Sequence, residues 1–158
     1  MPGAKWSISS TKCPADVDLI RLLFCEYRDE TDGEGCFEDF EAEMAALPGR
    51  YKEPKGILIL AKLKGEPVGC IALSPLNANV KSCEIKRLYV RAAYRGHGLG
   101  RNLVRRVLRH AKSRKYHRAV LYSLPSMKEA HALYQSFGFK VMKSREGQTT
   151  IEMQLSLI

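Results

Sequence analysis

Residues Ser82 to Arg114 read SCEIKRLYVRAAYRGHGLGRNLVRRVLRHAKSR, and the fold turns on them. From Cys83 to Val90 large apolar and β-branched residues alternate with charged ones, the pattern of a strand with one buried face. From Leu99 the apolar positions Leu103, Val104, Val107, Leu108 and Ala111 recur at helical spacing. Between them, Gly96, Gly98 and Gly100 let the backbone approach a ligand closely and point several amides the same way. A strand, a glycine turn and a helix N-terminus together form a place for an anion, above all phosphate.

Two familiar phosphate motifs fail on spacing. No Gly-Lys-Ser/Thr follows a glycine at P-loop distance, and the third glycine of a dinucleotide fingerprint is replaced by Arg101. What remains is R-x-x-G-x-G, formed by Arg95, Gly98 and Gly100.

With 158 residues the chain is expected to be one domain, 1–158, burying roughly 70% of the surface its unfolded form exposes. The net charge of +9 calls for an anionic partner without choosing among a phosphorylated ligand, nucleic acid and a membrane surface. The five cysteines (13, 25, 36, 70, 83) contain no C-x-x-C pair and are read as reduced and mostly buried. No apolar run approaches membrane-spanning length, the best being Ile57 to Ala61, and no apolar signal core opens the chain. A soluble, cytoplasmic protein without membrane association is expected.

Taken in order, Lys5 to Thr11 is a short strand, and Pro14 opens a helix whose stripe is Val17, Ile20, Leu23, Phe24 and Tyr27. Asp29 to Glu43 holds eight acidic residues and no basic ones, with Gly33 and Gly35 in a loop. Phe37, Phe40, Met44 and Leu47 edge a second helix that stops at Pro48-Gly49. Gly56–Leu63 and Pro67–Leu76 form an antiparallel hairpin about Lys64-Gly65-Glu66, and Asn77 to Lys81 leads into the central strand. Arg118 to Leu124 is a strand parallel to that one, because a helix separates them. Pro125-Ser126 begins a last helix, with Ser126 and Glu129 as a capping box and Gly138 as its end. Phe139–Ser144 and Thr150–Leu155 make a final hairpin.

The R-x-x-G-x-G stretch resembles the pyrophosphate loop of the GNAT superfamily of acyl-CoA-dependent N-acetyltransferases, written Q/R-x-x-G-x-G/A. The preceding strand ends L-Y-V, and Ala130-x-x-Leu133-Tyr134 followed by Gly138-Phe139 is similar to the last GNAT helix. The resemblance covers nearly the whole chain and extends to a bacterial subgroup of small GNAT proteins. It implies a mixed α/β sheet fold (α+β) in the order β-α-α-β-β-β-α-β-α-β-β, with the central strands splayed to admit a pantetheine arm. Acetyl-CoA would be the cosubstrate and a primary amine the acceptor.

The resemblance also implies roles. Backbone amides of Arg95, Gly96, His97, Gly98, Leu99, Gly100 and Arg101 would hold the pyrophosphate. Leu88, Tyr89 and Val90 would pair with pantetheine, one amide polarising the thioester carbonyl. Glu84, eleven residues before Arg95, is the candidate base, since some GNAT enzymes place a glutamate there. Alternation sets Glu84, Lys86 and Leu88 on one face unless a bulge changes the phase. A structural ion pair with Lys86 or Arg87 is the competing reading of Glu84. Tyr134 is the candidate acid, its reference pKa of about 10 being close to that of a thiol, about 8.5. The Asn that many GNAT proteins carry three residues before the alanine matching Ala130 is here Met127, with Ser126 a candidate replacement. The histidines show no metal-ligand spacing, so no metal is expected.

Two rivals come from other classes. Arg101, Arg105, Arg106, Arg109, Lys112, Arg114 and Lys115 crowd one helix and its end, as in a basic nucleic-acid-binding module. Interleaved aromatics and a preceding helix-turn-helix pattern are missing, so no specific nucleic acid is expected. The other rival is a non-catalytic acyl-CoA-binding sensor. For the acceptor, the acidic stretch favours a cationic amine, whereas Lys86 and Arg87 favour a carboxylate or phosphate. A small amino-acid-like zwitterion satisfies both. Acyl-chain preference and oligomeric state stay open, a dimer being one option.

Overall fold

The computed structural model describes residues 5–31, 37, 39–77, 81–142 and 150–158. The first half contains strand β1 (Ser7–Ser10), helices α1 (Pro14–Glu30) and α2 (Phe40–Ala46), and strands β2 (Ile57–Leu63) and β3 (Glu66–Asn77). The second half contains β4 (Ser82–Val90), α3 (Leu99–Ser113), β5 (Arg118–Ser123), α4 (Lys128–Ser136), β6 (Lys140–Val141) and β7 (Ile151–Ser156). This is the order the resemblance implies.

Among the described residues, seven strands make one sheet in the order β1-β2-β3-β4-β5-β7-β6. Only β4 and β5 are parallel. The β2–β3 hairpin turns on Lys64 (φ 51°) and Gly65 (φ 81°), two consecutive left-handed residues that match the right-handed twist of the strands they join. The last two strands are antiparallel, but β7 takes the place beside β5 and β6 lies outside it. The links at 78–80 and 143–149, the Gly33–Gly35 loop and Cys36 lie outside the described residues.

Both faces of the sheet are covered, so its central strands are buried on both sides. Ile57, Ile59 and Ala61 of β2 meet α3, while Leu58 and Leu60 meet α1 and α2. The α3 stripe of Leu99, Leu103, Val104, Val107, Leu108 and Ala111 is wholly buried, as its spacing requires. On the other face Ile20, Leu23 and Phe24 of α1 are fully buried beside Phe40 and Met44 of α2. Cys70 and Cys83 are buried, Cys25 half-buried and Cys13 exposed, and all four are free thiols.

One expected cap is corrected. Helix α4 begins at Lys128 with Met127 as its N-cap, and no side chain caps it. Ser126 lies one residue too early for a capping box, and its carbonyl accepts from the Lys128 N–H instead.

Candidate active site

Strand β4 changes character halfway along. Ser82, Cys83 and Glu84 pair with Arg118, Ala119 and Val120 of β5, and there the parallel pairing stops although both strands run on. On its other edge β4 follows β3 to Lys86, opposite Ala72, and resumes with Tyr89 opposite Cys70. Two residues, Arg87 and Leu88, therefore stand opposite Ile71 alone. This is a β-bulge, with Arg87 at φ 64° in the left-handed region, where a non-glycine residue costs about 1–2 kcal/mol.

The bulge reverses the alternation. Cys83 and Ile85 face the α3 side, yet Tyr89, an even number of residues on, packs on the α1 side. Leu88 and Val90 pack against the α3-side core, so Leu88 does not share a face with Glu84 and Lys86. The extra residue in the bulge is the physical reason.

The backbone beyond the bulge has an open edge. The Arg91 N–H bonds to the Val68 carbonyl, so Val90, opposite Gly69, is in a non-hydrogen-bonded pair and turns its amide and carbonyl away from β3. The Val90 carbonyl accepts from Arg95 Nε at 2.7 Å on that outer side. Alternation places the Leu88 N–H on the same edge. Between this edge and the diverging end of β5 lies a cleft of about 700 Å³. It is lined by β4 residues through Val90, by Leu121–Leu124, and by Arg95, Ser126 and Tyr134. A side recess of about 40 Å³ is lined by Glu84, Lys86, Phe37, Tyr122 and Ser123, among others, and shares Lys86, Tyr122 and Ser123 with the cleft.

The glycine turn follows directly from the cleft. Gly96 and Gly98 have φ of 83° and 86°, and a side chain at either would meet nothing within 4 Å. Gly98 is the N-cap of α3, and the first intrahelical bond runs from the Asn102 N–H to the Gly98 carbonyl. The amides of Leu99, Gly100 and Arg101 therefore have no intrahelical partner, as at any helix start. The Leu99 side chain is buried and His97 is exposed, so these residues offer backbone to the turn. Arg95 is already engaged: its Nη2 lies 2.6 Å from Glu30. The exposed Arg101 places its guanidinium 5.5 Å from the Phe137 ring centroid.

The two candidate proton-transfer groups line two spaces that share wall residues, Glu84 the recess and Tyr134 the cleft. Glu84 is half-buried in the recess, and among the described residues it makes no ion pair with Lys86 or Arg87. Burial holds the Lys86 ammonium below its ordinary pKa, against the opposing pull of Glu84. Tyr134 is 6% exposed, edge-on to Phe139 at 5.6 Å, and lines the cleft. Burial pushes its phenol well above the usual value, so the near-match to a thiol expected from reference pKa values is not kept. Met127 is a sulfur acceptor for the Tyr27 and Ser123 hydroxyls, at 3.8 and 3.6 Å.

Described carboxylates of the acidic stretch pair with arginines. Glu30 holds Arg95, Glu41 holds Arg28, and Glu43 holds both Arg50 and Arg87. The Glu43–Arg87 pair is buried, with side chains 7% and 3% exposed. Burial works to raise the Glu43 carboxyl, but the Arg87 hydrogen bonds and charge, with those of Arg50, hold it below the usual range. Arg87 is thus committed, and of the two cations expected to meet an acceptor only Lys86 lines the recess without an ion pair among the described residues. Sequence reading had no signal for this choice, since Arg87 and Glu43 are 44 residues apart.

A splayed parallel pair with a glycine turn at its mouth is the arrangement implied by the resemblance. A family model, acetyltransferase (GNAT) family, matches residues 17–139. The chain belongs to the GNAT family. Among GNAT relatives, an uncharacterized N-acetyltransferase of Schizosaccharomyces pombe is 37% identical over 141 residues, 89% of this chain and 86% of that protein. The N-acetylaspartate synthetase of Rattus norvegicus is 33% identical over 116 residues, 73% of this chain and 38% of its own length. The PaiA N-acetyltransferase of Thermoplasma acidophilum, solved with coenzyme A, has the same fold, with a TM-score of 0.74 and 17% identity over 95% of this chain and 99% of that one. The protein is a GNAT-type N-acetyltransferase. Among the described residues no helix is long and apolar enough to cross a membrane, and no group of side chains could hold a metal ion.

Proposed function

We propose that this GNAT protein transfers the acetyl group of acetyl-CoA directly to the primary amine of a compact, amino-acid-like molecule. The observation that carries the reading is the end of β4–β5 pairing at Glu84–Val120, with both strands continuing on either side of an open cleft. An extended pantetheine arm would add to the exposed β4 edge through Leu88, Tyr89 and Val90. The turn from Arg95 to Arg101 would take the pyrophosphate, with a hydroxyl from Ser126 at the cleft wall.

In the reaction, Glu84 accepts a proton from the ammonium, and the freed amine attacks the thioester carbonyl carbon. The Leu88 N–H, on the open edge, stabilises the oxyanion that forms. The carbon–sulfur bond then breaks, the thiolate takes a proton from Tyr134, and the surplus proton of the new amide nitrogen passes back to the tyrosinate; burial raises the Tyr134 pKa, so the phenol starts each cycle protonated. The narrow recess beside Glu84 and Lys86 supports a small acceptor, and Lys86 supports one that carries an anionic group. Relatives named N-acetylaspartate synthetases, whose name specifies an acetylated amino acid, favour the same class.

A thiol-release assay with acetyl-CoA across amino acids, simple amines, polyamines, aminoglycosides and peptides tests this. CoA release with amino-acid-like amines is expected. Tight CoA binding without turnover on any of them would replace the enzyme by an acyl-CoA sensor.

A further inference from the structure

The bulge that exposes the cleft edge is held by a contact far away in sequence. Arg87 adopts φ 64°, a conformation an arginine does not choose unaided. Its guanidinium meets the Glu43 carboxylate with two bonds, Nε to Oε2 at 3.2 Å and Nη2 to Oε1 at 3.1 Å. Arg50 Nη2 reaches the same Oε1 at 2.6 Å, fixing the carboxylate from outside. The guanidinium carbon lies 4.5 Å from the centroid of Phe37, and Phe24 and Phe40 complete the surround at 5.9 and 5.6 Å. On the backbone side, the Cys70 thiol donates to the Arg87 carbonyl at 3.4 Å.

A bidentate arginine–carboxylate pair has a fixed geometry, and burial leaves neither partner an alternative in water. The side chain of the bulged residue is thus anchored to α2 while its carbonyl is anchored to β3. We propose that Glu43 and Arg87 are positioning residues: their pair holds the bulge in place and thereby aims the Leu88 amide into the cleft. Since Phe37 also lines the recess beside Glu84, the same anchor ties the acceptor side of the site to the bulge. The purpose given to the Leu88 amide rests on the acetyl-transfer reading above; the anchoring of the bulge does not.

The test compares variants by kcat and KM for acetyl-CoA, by thermal melting, and by the ¹H–¹⁵N resonance of Leu88. That resonance is identified in ¹⁵N-leucine protein by its loss in Leu88→Ile. Glu43→Gln should move the Leu88 resonance and lower kcat at least about tenfold while KM for acetyl-CoA stays within about twofold. Because a single change strands a buried charge, Glu43→Leu with Arg87→Met removes both charges, a replacement that commonly preserves stability. It should melt near the parent and show the same loss of kcat.

Glu43→Leu with Arg87→Gly is the decisive companion. Glycine adopts positive φ freely, so it should recover kcat by about threefold or more over the methionine version, although it leaves the larger void. A purely structural role predicts the opposite order. An unmoved Leu88 resonance and parental kcat in the methionine variant would overturn the proposal and leave the acetyl-transfer reading intact. A parent that acetylates nothing, with Leu88 still displaced in the variants, would overturn that reading and leave the anchor standing.

Discussion

The two halves of β4 are built from similar residues and do opposite things. From Ser82 to Lys86 the strand has β3 on one edge and, as far as Glu84, β5 on the other, and its apolar side chains fill the core under α3. From Arg87 to Val90 it keeps β3 alone, its phase is reversed, and its free edge forms one wall of a cleft. A fully paired strand has no backbone left for a ligand. The open edge exists because pairing is given up there, and a buried ion pair and packed aromatic rings stand behind it.

Substitutions can break this contrast, beginning with the closed half. Leu73, opposite Ile85 on β3, is fully buried and lines neither the cleft nor the recess, so Leu73→Ala should cost about 2–5 kcal/mol of stability, read from denaturant unfolding, with KM for acetyl-CoA unchanged. A changed KM with parental stability would mean that the first half also shapes the donor site. Across the open half, Tyr134→Phe should reduce turnover about 10²-fold or more while CoA binding persists. Because burial keeps the phenol protonated, its loss should lower the pH–rate profile without adding a limb below pH 9.

At the mouth of the cleft, Gly98→Val forces a β-branched residue into φ 86° and fills space the protein itself leaves free. The stabilisation of about 2.7 kcal/mol expected from CoA at a hundredfold excess over its Kd should vanish, with circular dichroism near native. Undiminished CoA binding by this variant would remove the phosphate role from the turn. The subtlest effect is expected at the junction of the halves. Glu84→Gln should remove or shift the acidic limb of the pH–rate profile, with activity partly restored at higher pH by free amine. A lowered melting temperature with the profile intact would make Glu84 a structural group.

Much of this was legible in the chain. The order of elements follows from periodicity and turn residues, and R-x-x-G-x-G with A-x-x-L-Y and G-F points to the family. The hydroxyl of Ser126 as a helix cap failed, because a capping box is a local pattern and α4 begins one residue later than its glutamate spacing implies. Within the acidic stretch the described Asp29, Glu30, Glu41 and Glu43 are paired with arginines outside it, partners that its composition does not reveal.

What the sequence determined by itself is therefore whatever rests on neighbours within a few positions: the α3 stripe, the Lys64-Gly65 turn, the glycines before a helix. Tertiary structure alone decided the phase of β4 after Lys86, the pairing of Arg87 with Glu43, and the burial of Tyr134. Each depends on groups distant along the chain, as Glu43 is from Arg87, and a strand carries no local mark of a bulge that a remote carboxylate holds in place.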